Sequence, residues 1–101
     1  MDTFTLLAAE RKKDVIISGG ENIYPDKVEM CIMRLESVVD VAVIGVPDDK
    51  LGEAVKAVVV KKPGTELTEK DVIDHCEANL SKSWVPRSVD FVTDFINVVA
   101  N

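Results

Sequence analysis

A chain of 101 residues with 47% hydrophobic and 30% charged residues has room for one packed domain and no more. Its net charge of −6 excludes the general nucleic-acid binders, which need a basic face to displace counterions from phosphates. No run reaches the roughly 20 apolar residues of a membrane span and no leader-like segment opens the chain, so a cytoplasmic protein is expected, with no nucleic-acid partner and no membrane span.

Residues 4–9 and 14–18 are short apolar runs separated by Glu10-Arg11-Lys12-Lys13, which predicts an N-terminal β-hairpin with a charged connection. Ser18-Gly19-Gly20-Glu21-Asn22 then reads as a glycine loop, where paired glycines permit unusual backbone angles and close approach of a ligand. It is no phosphate-binding P-loop, because the GxxxxGK[ST] spacing is missing. Pro25 suits the first position of a helix, and Asp26 and Glu29 suit its first turn. Val28, Cys31, Ile32 and Leu35 follow at i, i+3, i+4 and i+7, which predicts a helix over 25–36 packed on one face.

Residues 38–46 and 53–61 are rich in β-branched side chains and predict an antiparallel strand pair joined through 47–52. Pro63-Gly64 ends the second strand. Thr68 with Asp71 three places on is a variant of the capping box, and Val72, Ile73, Cys76 and Leu80 give the helix that follows its buried face. Residues 81–83 break it, and 89–92 read as a last short strand after Pro86. The expected fold is α+β: an N-terminal β-hairpin followed by a small mixed sheet with helices packed on one face.

Cys31 and Cys76 lie far apart in sequence and His75 is the single histidine, a pattern without the ligand spacing of a zinc site. Two reduced, buried thiols and no metal are expected.

The long run from Glu10 to Pro25, with Arg11-Lys12-Lys13-Asp14, an apolar strand, Ser18-Gly19-Gly20-Glu21-Asn22 and Tyr24-Pro25, resembles the start of the small C-terminal (lid) domain of adenylate-forming enzymes, the acyl-CoA synthetase or AMP-binding ligase family. Residues 41–48 with Gly52-Glu53, and Val85-Pro86-Arg87 with residues 89–92, resemble later segments of the same domain, so the likeness covers about residues 2 to 96. It implies a chain organised as one domain over 1–101, with hairpin and hinge in 2–20, an α+β core in 21–96 and a tail in 97–101. It also implies the lid of an ATP-dependent acid–CoA ligase of the fatty-acyl or a related type, which turns over a large N-terminal adenylation domain between two half-reactions. ATP, Mg and coenzyme A would serve the intact enzyme, and none would be bound as a cofactor by the isolated domain.

Residue by residue, the resemblance implies that Lys13 is the hinge and that Arg11 lies near the nucleotide of the adenylate. Ser18, Gly19, Gly20, Glu21 and Asn22 would line the path of the coenzyme A arm, and Trp84 and Arg87 would meet the coenzyme A nucleotide, with a core anchor as the equal alternative for Trp84. A hinge must absorb a large change of φ and ψ, which an unbranched lysine allows. By the same resemblance Leu51 stands where many members of the family carry Trp, which weakens one adenine contact. The family's catalytic lysine, in a Gly-Lys pair near the C-terminus, has no counterpart up to Asn101, and Lys82 is too far upstream to replace it. The 101-residue chain is therefore expected to be inactive by itself in adenylation. The competing reading is a stand-alone, non-catalytic module that binds a protein partner or a coenzyme A-type nucleotide.

Overall fold

Two long strands form the spine of the molecule, β3 (Val38–Asp48) and β4 (Gly52–Lys61), paired antiparallel from Val38↔Lys61 to Asp48↔Gly52. Their β-branched residues fit a pleated, half-buried surface. The turn between them closes when Asp48 Oδ2 accepts the backbone N–H groups of Lys50 (3.0 Å) and Leu51 (2.8 Å), the local bonding that favours Asp in turns. The computed structural model describes residues 15–94. Around the spine lie β1 (Ile16–Ser18), β2 (Glu21–Ile23), α1 (Pro25–Met33), α2 (Glu69–Asn79), a 3-10 turn (Lys82–Trp84) and β5 (Ser88–Val92).

The expected α+β arrangement is present, with a hairpin-like pair at the N-terminal end of the described residues and helices against a small sheet. The predicted strand at 4–9 and the charged connection at 10–13 lie outside the described residues. The described hairpin is a different one: Ile16–Ser18 pairs with Glu21–Ile23, so the predicted glycine loop is the two-residue turn between two strands. Gly19 (φ +59°) and Gly20 (φ +83°) both have the positive φ that a type I′ hairpin turn demands, which side chains other than glycine, Asn and Asp resist.

Strand alternation divides the apolar residues between two faces. Val41 and Val43 of β3, Val55, Ala57 and Val59 of β4 and Val89 of β5 join Val28, Cys31 and Ile32 of α1 and Val72 and Cys76 of α2 in the main core. Each such valine, fully buried, is worth about 1.5–3 kcal/mol of transfer free energy. Ala42 and Val58 point to the opposite face, where Ile44, Val60 and Val92 surround them.

The helix expected over 25–36 ends at Met33. The chain then tightens through i−3 bonds, Arg34 N–H to the Cys31 carbonyl and Leu35 N–H to the Ile32 carbonyl. Leu35 still packs on the core, so the apolar stripe outruns the helix that begins it. Carboxylates tie the helices to the sheet: Glu29 of α1 accepts the Val43 N–H at 2.9 Å, and Glu69 of α2 accepts the Val89 N–H at 2.8 Å. The Thr68 box is complete, with Asp71 N–H bonded to the Thr68 hydroxyl oxygen (3.1 Å) and Thr68 N–H to the Asp71 carboxylate (3.0 Å).

The two cysteines come together between α1 and α2. Both thiols are free and buried, and burial together with the neighbouring Cys31 thiol pushes Cys76 up to about 12. His75 donates from Nε2 to the Cys31 carbonyl at 2.8 Å, which fastens the same crossing.

Candidate functional site

One edge of β4 is shared by two strands that do not meet along it. β1 pairs with β4 at a single position, Ser18↔Gly52, and runs antiparallel to it. β5 pairs parallel with β4 from Lys56↔Ser88 to Val60↔Val92. Residues 53–55 of β4 therefore lie in a gap between the two partners, and the structure opens there into a cleft of about 710 Å³. A split in a sheet that is floored by apolar side chains is a common place for a ligand.

The near lip of the cleft is the hairpin turn, with Ser18, Gly19 and Glu21. The far wall is the connection from α2 to β5, which brings Lys82, Ser83 and Arg87. The floor is made by Leu51 and Val55, and α2 closes the side with Ile73 and Glu77. The lip is held to the floor by Gly19 N–H to the Leu51 carbonyl (2.9 Å), and the wall by Arg87 N–H to the Val55 carbonyl (2.8 Å).

Ser18 is the buried polar residue of the described chain, at 8% exposure, and it lines this cleft. Its hydroxyl has no hydrogen-bond partner among the described residues, which is uncommon for a buried polar group. A side chain on Gly19 would also intrude here, since a Cβ would meet Leu51 Cδ2 at 3.3 Å. Lys82 and Arg87 put two cations on the far wall, suited to phosphate oxygens. Among the described residues, no group of three or more His, Cys, Asp or Glu could hold a metal ion.

Of the residues singled out in the sequence, the fold brings Ser18, Gly19, Glu21 and Arg87 to the cleft. Gly20 and Asn22 belong to the same hairpin but do not line it. Trp84 also lies outside the lining: its indole Nε1–H donates to Glu21 Oε2 at 2.7 Å, and its ring sits 6.0 Å from that of Tyr24. Arg11 and Lys13 lie outside the described residues. Sequence reasoning missed Lys82 as a wall residue, and it read Ile73 only as part of a buried helix face. No local pattern marks either, because their place depends on where α2 ends relative to the gap in β4.

The sequence profile of the AMP-binding enzyme C-terminal domain matches residues 27–97. The 3-[(3aS,4S,7aS)-7a-methyl-1,5-dioxo-octahydro-1H-inden-4-yl]propanoyl:CoA ligase of Rhodococcus jostii is 52% identical over 83 residues, 82% of this chain and 16% of that protein. The long-chain-fatty-acid–CoA ligase FadD13 of Mycobacterium tuberculosis is 42% identical over 86 residues, 85% of this chain and 17% of that one. Among solved structures, ATP-bound MatB from Rhodopseudomonas palustris superposes with a TM-score of 0.79 at 43% identity, over 81% of this chain and 16% of its own. The amide bond synthetase McbA from Marinactinospora thermotolerans superposes with a TM-score of 0.77 at 36% identity, over 80% of this chain and 16% of its own. The chain thus spans about one sixth of the length of the curated relatives it matches.

Proposed function

The chain belongs to the AMP-binding enzyme C-terminal domain family, the lid of adenylate-forming acyl-CoA ligases, and we propose that it closes over an acyl-adenylate and guides coenzyme A to it. The observation that carries this reading is the cleft lined by the buried Ser18 and the bare Gly19 backbone on one side and by Lys82 and Arg87 on the other. A pantetheine arm is narrow and carries amides, so it needs a lip without bulky side chains and a polar group to meet it. The nucleotide end carries phosphates, for which an Arg and a Lys are suitable partners.

In this reading the partner is a large adenylation domain that supplies the pockets for ATP, Mg and the acid. Coenzyme A's sulfur attacks the acyl carbonyl of the adenylate and AMP leaves. Lys13 is the hinge and Arg11 approaches the nucleotide. The 101-residue chain by itself activates no acid. Relatives named for a bicyclic propanoate and for a long-chain fatty acid share this domain at 52% and 42% identity. Choice of acid therefore lies outside the lid, and a fatty-acyl substrate is one member of the class.

The test is to combine the chain with a separately expressed large domain, a preformed acyl-adenylate and coenzyme A. Acyl-CoA formation that depends on the chain is the expected result, with no pyrophosphate release from ATP and acid by the chain alone. Failure of the chain both to bind coenzyme A and to restore transfer would overturn the reading. In an intact parent enzyme, Lys13→Pro should lower thioester formation more than adenylate formation, because proline removes one backbone pose. Equal loss in both half-reactions would remove the hinge assignment.

A further inference from the structure

The β1–β2 hairpin is attached to the rest of the molecule unevenly. On the β4 side it has the Ser18↔Gly52 pairing, Gly19 N–H to the Leu51 carbonyl at 2.9 Å and Ile17 N–H to Glu53 Oε1 at 2.9 Å. Its outer strand β2 pairs with β1 alone among the described residues. Ile16 and Ile23 anchor its two three-residue strands in the core, and the glycine turn beyond that anchor is the lip of the cleft.

The opposite side is braced by contacts that cross to the far wall. Glu21 accepts the Trp84 indole N–H at 2.7 Å, and Tyr24, just after β2, sets its ring 6.0 Å from the same indole at an interplanar angle of 45°. Trp84 ends the 3-10 turn that carries Lys82 and Ser83, and Val85, Pro86 and Arg87 continue the wall. The indole itself stays outside the lining, so the Glu21 carboxylate is engaged with a support of the wall.

We propose that Glu21 is a positioning residue, which through its bond to the Trp84 indole holds the glycine turn against the Lys82–Trp84 turn and fixes the span of the cleft. That the span serves a coenzyme A arm rests on the function proposed above; the brace does not.

Trp84 is the one tryptophan of the chain, so its spectroscopy reads the brace directly. In the 101-residue chain, Glu21→Ala is expected to red-shift Trp84 emission and to remove the exchange protection of the indole N–H in NMR spectra. Glu21→Gln keeps an acceptor and should restore both. Coenzyme A titrated into the same proteins should bind the alanine variant roughly three- to tenfold more weakly, the net range of one ordinary hydrogen bond acting through the wall, with most of the loss recovered by glutamine. Should Glu21→Ala fail to fold, Trp84→Phe keeps a ring without the N–H, and shifted amide resonances at Gly19 and Gly20 are the expected sign. Unchanged indole exchange and emission in Glu21→Ala, or unchanged turn amides in Trp84→Phe, would overturn the proposal. A wild-type chain that neither binds coenzyme A nor restores transfer beside the large domain would overturn the function proposed above, and the indole readout would still decide the brace.

Discussion

The carboxylate of Glu53 occupies the place where a side chain on Gly45 would stand: a Cβ there would meet Glu53 Oε2 at 2.5 Å and Cδ at 3.1 Å. The two residues sit on neighbouring strands, and the vacancy over Gly45 lets Glu53 lie back across the sheet to accept the Ile17 N–H. An absent side chain in β3 thereby decides how the hairpin at the lip of the cleft is fastened.

Gly45→Ala should displace that carboxylate and free the Ile17 amide. Loss of a hydrogen bond to a charged group costs about 1.5–3 kcal/mol, and alanine's smaller backbone entropy loss returns about 0.5–1 kcal/mol. A net destabilisation of about 1 kcal/mol is expected from the denaturation midpoint, with faster exchange at Ile17. Glu53→Ala should reproduce the faster exchange, and Glu53→Gln should largely spare it.

Gly19→Val puts a β-branched residue at φ +59° and its Cβ 3.3 Å from Leu51 Cδ2. The backbone strain is of order 1–3 kcal/mol. In a parent enzyme, coenzyme A transfer should slow while pyrophosphate release changes little. Transfer at the wild-type rate would take the turn out of the path of the arm.

Cys76 links alkaline pH to stability. Its thiol is raised from 9.0 to about 12, first by burial and then by the Cys31 thiol. As pH rises through about 9 the unfolded chain loses this proton while the folded chain keeps it, so the unfolded state binds fewer protons. The stabilising contribution is complete below that point and declines from about pH 9 to about 12. Chemical denaturation across this range should show the decline, and Cys76→Ala should flatten it while lowering stability at neutral pH, where the buried side chain is lost without any linkage gain. The same shift keeps the thiol neutral, so alkylation of native protein at pH 8 should follow unfolding.

At the start of α2 the sign is reversed. Asp71 is held below its usual value, first by the Thr68 backbone N–H and then by the Thr68 hydroxyl. Its contribution is present above the unfolded value of 3.8 and is lost as pH falls through the depressed folded value. Asp71→Asn should therefore weaken the dependence of melting temperature on pH in the acid range. Thr68→Ala, which removes the cap, should cost about 0.5–2 kcal/mol at neutral pH.

The elements whose signals are local were readable in the chain. Thr68 and Asp71 cap α2, Pro25 opens α1, and the valine-rich segments pair as β3 and β4, because capping, proline geometry and strand alternation act over a few residues. The Gly19-Gly20 pair announces unusual backbone angles, but nothing local separates a loop from a tight hairpin turn. The strand Glu21–Ile23 is too short for its alternation to show, and it exists through pairing with Ile16–Ser18. Leu35 misplaced the end of α1, since a stripe of apolar residues reports burial and continues into a turn that remains buried.

By itself the sequence determined the fold class, the buried faces and the family likeness, each written in neighbouring residues or in a contiguous motif. Only the tertiary structure decided the cleft. The parallel docking of β5 leaves residues 53–55 of β4 between two partners, and the crossing of α1 and α2 joins Cys31 to Cys76. The same closure sets Trp84 beside Glu21. Periodicity states that a side chain is covered but not by what, and a bond between partly or fully exposed polar groups far apart in the chain leaves no pattern until the sheet brings them together.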